Sequence, residues 1–156
     1  MMRVGRPRGW PALLSCCPMS LLIEFPSIDR RRSKVHGFGV FAKENINKNR
    51  RIIDYAGELI DHKESYKRET RYLAKGCIWC FTVNRRWVRD ANVDGNLARF
   101  VNHACKPNSY SQVIGRTIWI RAGRNIKAGE ELTYDYHTDG DLIIECKCRP
   151  DCKRRL

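Results

Sequence analysis

The chain is short of acid. Its 156 residues hold 17 Asp and Glu against 30 Lys and Arg, a formal net charge of +13. Such a field favours acidic partners, nucleic acid above all. No arginine-rich helix or other DNA-reading motif stands out, so proximity to nucleic acid is expected rather than specific reading of it. Also missing is any run of about 18 apolar residues, and no membrane-spanning helix is expected. A convincing secretory signal is lacking too. Arg3, Arg6 and Arg8 precede only the short apolar patch Trp10 to Leu14, which Pro11 interrupts. Leu13-Leu14-Ser15-Cys16 is only faintly like a lipoprotein cleavage site, and Met19 is an alternative start. Residues 1–27 are therefore expected to be a disordered leader. Without a signal, eight cysteines do not read as a secreted disulfide framework. Cys146, Cys148 and Cys152 instead have the tight spacing of metal thiolates, which favours a reducing compartment.

What remains is enough for one domain with a real core, at 42% hydrophobic residues. Ile52 to Ile60 is β-branched and broken by Gly57, and reads as strand, bend, strand. Asp61 to Leu73 lacks Gly and Pro, with Asp61 placed to cap and Gly76 beyond the end. It is the best helix candidate. Ile78 to Val83 and Arg86 to Ala91 read as strands about an Asn84-Arg85 turn, and Asn96 to Val101 as a short helix. Tyr110 to Ile114 and Thr117 to Ile120 flank Gly115-Arg116 as a hairpin, and Leu132 to Tyr136 is a last short strand. There is an internal echo: Ala42-x3-Ile46-x5-Ile52 and Ala122-x3-Ile126-x5-Leu132 share one spacing. The class is mostly β with irregular connections.

Three segments carry chemistry. Arg99-Phe100-Val101-Asn102-His103-Ala104-Cys105 is a polar turn ending in a thiol. Glu131-Leu132-Thr133-Tyr134-Asp135-Tyr136 holds paired tyrosines. Cys146-x-Cys148-x3-Cys152 closes the chain. Each alone is weak. In this order, with Ser33-Lys34-Val35-His36-Gly37-Phe38-Gly39 before them and Tyr55-Ala56-Gly57-Glu58 between, the chain from about Arg31 to Leu156 resembles SET-domain protein lysine methyltransferases. Lys67-Arg68-Glu69 through Tyr72, then Lys75-Gly76, is similar to the trithorax-like branch.

The resemblance implies a mostly β pseudoknot of the β-clip type, with one or two short helices and a C-terminal zinc-binding tail. The SET domain would span 28–138 and the post-SET tail 139–156. It implies methyl transfer from S-adenosylmethionine to a protein lysine; such enzymes do not use a glycine-rich dinucleotide loop. Tyr136 matches the catalytic tyrosine, Tyr55 a channel-lining tyrosine, and Tyr134 a position held by Phe or Tyr, where a hydroxyl biases toward mono- or dimethylation. His36, Gly37, Phe38, Gly39 and Tyr72 match cofactor contacts. Asn102 would offer a side-chain acceptor to the cofactor ammonium, and His103 its backbone to the adenine. Cys105, Cys146, Cys148 and Cys152 would hold Zn2+ and pin the tail over the channel. Three residues rather than four separate Cys148 from Cys152, Arg149 stands in place of the usual Gly and Ala104 in place of the common Ser. Arg99 and Asp135 are expected to hold the knot together. Cys77 and Cys80 are expected on opposite faces of a strand, as ordinary thiols, and Ile78 stands where many relatives carry tyrosine.

The expected partner is a protein with an accessible lysine, a histone H3-type tail or another basic protein, and no membrane. The site of action would be the nucleus if the organism is eukaryotic and the cytoplasm if it is bacterial. A net charge of +13 is awkward for a basic tail. A local acidic groove, with Asp139, Asp141 and Glu145 as candidates, or bridging nucleic acid would resolve it. A competing reading is an inactive SET-like module that binds peptide or nucleic acid.

Overall fold

The computed structural model describes residues 24–138 and 144–156. Most of the expected leader, and Asp139 and Asp141, lie outside these residues. Positions 24–27, assigned to the leader, are tied to the fold although only Pro26 is buried. Lys43 N–H donates to Ser27 O at 2.9 Å, and the Phe25 ring stacks on Trp119 at 5.6 Å.

Four small sheets pack around two buried apolar clusters, one centred on Ile46 and Ile126 and the other on Tyr55 and Ile118. β1 (Ile28–Arg32) pairs antiparallel with β2 (Phe38–Ala42). β3 (Arg51–Asp54) lies beside β9 (Thr117–Ala122), which also pairs with β8 (Ser109–Ile114). β4 (Glu58–Asp61) and β5 (Cys80–Thr82) flank β6 (Trp87–Asp90). β7 (Asn102–His103) and β10 (Thr133–Tyr134) run parallel, with Thr133 opposite Asn102 and Tyr134 opposite His103. That last pairing is the expected knot, since it inserts the Tyr segment beside the Asn-His segment. Asn108 ties it further. Its Nδ2 donates to Glu131 O at 2.8 Å, and its Oδ1 accepts from Thr133 N–H at 2.9 Å.

Local sequence explains the elements. α1 (His62–Leu73) starts where Asp61 Oδ1 accepts from Glu64 N–H at 2.8 Å, a side-chain N-cap. Its inner face docks through Arg68, which donates to Glu58 at 2.6 Å and to the fully buried Asp90 at 2.9 Å. Tyr72 Oη also donates to Asp90, at 2.9 Å. A buried carboxylate without such donors would cost several kcal/mol, of order 3–5 for one partner removed. Gly57, at φ 152, joins β3 to β4, and a Cβ there would overlap the Asp90 and Ala91 backbone. The short helix is a 3-10 turn over Leu97–Phe100, capped by Asn96.

The echo is a pseudo-two-fold axis through the core. Ile46 and Ile126 exchange both backbone hydrogen bonds, at 2.8 and 2.9 Å. Ala42 N–H donates to Glu130 O and Ala122 N–H to Arg50 O, each at 3.0 Å. Asn45 Oδ1 accepts from Ala128 N–H at 3.0 Å, and Asn125 Oδ1 from Lys48 N–H at 2.9 Å. Ala42, Ile46, Ile52, Ala122, Ile126 and Leu132 are all at most 1% exposed and form one cluster with Val40, Val101, Ile120 and Tyr134.

Two strand assignments need correction. Ile78 and Trp79 are outside β5, so strand alternation does not separate Cys77 from Cys80. Trp79 O is spent on Tyr55 Oη at 3.0 Å and Ala91 N–H at 3.1 Å, which turns the segment toward the core. The last strand is two residues, not five, because Asp135 and Tyr136 leave the ladder for side-chain partners.

Candidate active site and metal centre

A cavity of about 260 Å³ opens between the β1–β2 loop, the knot and the C-terminal tail. Val35, His36, Gly37 and Phe38 form one wall, and Asn102, His103 and Tyr136 another. Ile144 to Lys147 and Leu156 close it from the tail. Gly37 takes φ 47, the left-handed region that glycine enters without strain, and this bends the wall.

Asn102 is held by its amide nitrogen. Nδ2 donates to Phe38 O at 3.0 Å, to Glu131 Oε1 at 2.8 Å and, weakly, to His36 O at 3.4 Å. Oδ1 has no donor among the described residues, and Asn102 lines the cavity. Ser33 Oγ fixes the same carboxylate, at 2.7 and 2.9 Å from its two oxygens. Gly39 does not line the cavity. A Cβ there would overlap Glu131 Oε1, so its smallness serves the carboxylate behind Asn102. Tyr72 is likewise not in the wall. It is 8% exposed and sits edge-on to Trp79, ring centroids 5.1 Å apart, with its hydroxyl on Asp90. Of this pair, Trp79 is the one that reaches the cavity.

Three tyrosines gather here, but only Tyr136 lines the cavity; Tyr55 and Tyr134, expected in the channel, are buried behind it. Tyr136 lies 4.8 Å from Tyr134, ring to ring, and Phe81 joins Tyr134 at 6.0 Å to Tyr55 at 5.4 Å. Burial first, then mutual repulsion, pushes the Tyr55 and Tyr134 hydroxyls well above the ordinary tyrosine range. Burial does the same for Tyr136. All three stay neutral phenols near pH 7. Tyr136 Oη donates to Val101 O at 2.9 Å, which commits its proton and leaves lone pairs free. Tyr134 Oη has no partner among the described residues. Arg99 and Asp135 do not pair with each other, and Arg99 Nη1 donates to Ala91 O at 3.3 Å. Its guanidinium also lies over the Phe100 and Trp79 rings and lines the cavity, while Asp135 binds Arg154 through two bonds at 3.0 and 3.1 Å.

The sulfurs of Cys105, Cys146, Cys148 and Cys152 lie within 4.8 Å of one another. Cys105 Sγ is 3.9 Å from Cys146 Sγ and 3.7 Å from Cys152 Sγ. Tetrahedral zinc with Zn–S of about 2.3 Å requires S···S of about 3.8 Å. The four thiolates thus fit a closed zinc site despite the shortened Cys148–Cys152 loop. The Arg154 backbone N–H brings the Cys152 thiol down to about 7, while burial pushes Cys105 up and Cys146 up to about 12, so a bound cation is what would make all four thiolates. Cys77 and Cys80 stay outside this cluster, though Cys77 lines the cavity, which sequence spacing did not reveal. Trp79 and Leu156 in the cavity wall, and Glu131 behind Asn102, are not singled out by the sequence. Only Glu131 stood within a quoted motif.

The SET-domain family model matches residues 37–137. The chain is 41% identical over 133 residues to histone-lysine N-methyltransferase set1 of Dictyostelium discoideum, covering 80% of this chain and 9% of that protein. It is 40% identical over 132 residues to the H3 lysine-4 specific histone-lysine N-methyltransferase of Schizosaccharomyces pombe, 80% of this chain and 14% of that one. It thus spans a small fraction of these relatives' length. A solved structure of ctPRC2 in an autoinhibited conformation bound to S-adenosylmethionine matches with TM-score 0.68 and 32% identity, over 73% of this chain and 15% of that chain.

Proposed function

From its membership of the SET-domain family, which the matched model and the relatives establish, we propose that this chain transfers methyl from S-adenosylmethionine to a protein lysine. The observation that carries the proposal is that Gly37, Asn102 and Tyr136, distant in sequence, line one cavity. Residues 28–138 are read as the catalytic unit and 139–156 as its zinc-bound tail.

The loop Val35 to Phe38 and Asn102 would hold the cofactor, with Asn102 Oδ1 free for an ammonium because Glu131 and Phe38 O occupy its other end. The His103 backbone sits beside them. Bound there, S-adenosylmethionine supplies a methyl on a cationic sulfur, whose charge also disfavours a protonated amine nearby. A lysine amine at pH 7 needs about 4–5 kcal/mol for deprotonation. Tyr136 is not the base for that step, since its proton is held on Val101 O and burial disfavours the phenolate. Its lone pairs instead orient the amine and stabilise the moving positive charge. Phenol walls suit that charge, and alignment supplies much of the rate. The unpartnered Tyr134 hydroxyl would hold a water or the amine and leave less room for added methyls. Zinc on Cys105, Cys146, Cys148 and Cys152 would keep Leu156 and Ile144 to Lys147 against the cavity, a structural role.

A histone H3-type tail is the substrate favoured by the relatives' names, with chromatin as the place of action. Glu145 in the cavity wall is one described acid near that route. The test is methyl transfer from labelled cofactor to a histone and basic-protein pool. Tyr136→Phe is expected to lose activity by about a hundredfold, through lost alignment of the amine, with cofactor binding retained. Efficient trimethylation by the unmodified chain would defeat the Tyr134 reading. Peptide or nucleic-acid binding without any methyl transfer would favour the inactive module.

A further inference from the structure

One imidazole touches both the thiolate cluster and the phenol end of the cavity. His103 is 4% exposed. Its Nδ1 lies 3.3 Å from the Tyr136 backbone nitrogen, and its Nε2 lies 3.5 Å from Cys105 Sγ. A backbone N–H can only donate. Nδ1 is therefore the bare nitrogen, and the ring proton sits on Nε2, facing sulfur. Asp135 Oδ1 is 3.6 Å from Nδ1, beyond hydrogen-bond reach, and Arg154 already occupies that carboxylate. The His103 ring also stands edge-on to the Tyr136 ring, centroids 5.4 Å apart. A second strut runs beside it. Arg154 follows Cys152 by two residues and clamps Asp135, the neighbour of Tyr136.

We propose that the His103 side chain is a positioning residue that couples the metal-thiolate cluster to Tyr136. One nitrogen serves the cluster and the other the tyrosine. The inference rests on the zinc and Tyr136 assignments above. A metal-bound thiolate is a charged acceptor for Nε2–H and holds it more firmly than a thiol does. The ring is then fixed, and Nδ1 stays on the Tyr136 N–H. Release of the metal frees the ring and loosens the tyrosine backbone. The tail thus governs the phenol's position as well as closing the cavity wall.

Two substitutions separate the nitrogens. His103→Asn keeps an oxygen near the Nδ1 position but is too short to reach Cys105. His103→Gln keeps an N–H donor near the Nε2 position but offers Tyr136 no acceptor. The full chain is studied zinc-saturated, with zinc affinity read by chelator competition and Tyr136 amide exchange read by NMR. His103→Asn should bind zinc about 10- to 100-fold more weakly while its Tyr136 amide stays protected. His103→Gln should hold zinc within about threefold of the unmodified chain, yet exchange the Tyr136 amide about tenfold faster or more, with kcat falling more than cofactor affinity. Equal zinc affinity in the two variants, or equal Tyr136 protection, overturns the proposal. So does an unchanged Tyr136 amide in the unmodified chain after chelation has opened the Cys146 and Leu156 amides. The exchange and zinc measurements need no methyl transfer, so they stand whether or not the proposed activity is found.

Discussion

The segments 42–52 and 122–132 have one backbone and two uses. Both turn through a left-handed residue, Asn49 at φ 66 and Gly129 at φ 88, and both bury the same three apolar positions. They part at the ends. The first finishes in Arg50-Arg51, facing outward, where Arg50 donates to Glu24 O and Arg51 lies over Trp119. The second finishes in Glu130-Glu131, and Glu131 turns inward to hold Asn102 and Ser33. Packing is therefore a property of the repeat, while the site belongs to one copy. The neighbours make the difference, because only the second copy runs on into the strand that knots beside Asn102.

Four experiments can break or sharpen this equivalence. Ile46→Ala and Ile126→Ala should each cost about 2–5 kcal/mol in denaturant unfolding, and by nearly equal amounts. A gap well beyond about 1 kcal/mol would break the two-fold symmetry energetically. Next, Glu131→Gln should weaken S-adenosylmethionine about tenfold or more by calorimetry, since Asn102 loses a charge-assisted bond. Arg51→Gln at the matching position should leave binding unchanged, and an equal loss there would mean the ends are not specialised.

Gly129→Ala should cost about 1 kcal/mol through its positive φ alone, because nothing lies within 4 Å of the added Cβ. Asn49→Gly should stay within a few tenths of a kcal/mol, as both residues tolerate that region. The smallest effect is electrostatic. The Arg124 guanidinium, at 2.6 Å, holds the Glu130 carboxyl below its ordinary 4.5. A depressed carboxyl stabilises the fold above its unfolded value and loses that contribution as pH falls through its folded value. Arg124 is more than half exposed, so Glu130→Gln should cost only about 0.2–1 kcal/mol at pH 7. That cost should shrink progressively as pH falls below 4.5 and through the lowered folded value, whereas Arg50→Gln should show no such trend in urea melts over the same range.

Much of the site could be read in the residues, and the exceptions have physical causes. Asn102, His103 and Tyr136 meet at one cavity and the four cysteines in one cluster, and each sits in a dense local motif of unusual chemistry. Tyr72 was placed in the cofactor wall and lies behind it. Its buried hydroxyl needs the Asp90 carboxylate, and sequence carries no sign of a partner 18 residues away. Gly39 was assigned to close approach of the cofactor, yet the space it leaves belongs to Glu131. Trp79 and Leu156 were missed because lone apolar residues look alike until a cavity selects them.

From the order of residues alone came the helix with its Asp61 cap, the hairpin at Gly115, the spaced echo and the tight Cys146, Cys148, Cys152 triplet, while Cys105 joined it only through the family resemblance. These rest on short-range rules, in which a few neighbouring residues decide the outcome. Three things required the folded chain: that the echo packs on itself, that Glu131 rather than Arg51 reaches Asn102, and that His103 bridges Cys105 and Tyr136. Each depends on which distant segments pass through the same few ångströms. Such contacts are chosen by the packing of the whole core, and no local pattern encodes them.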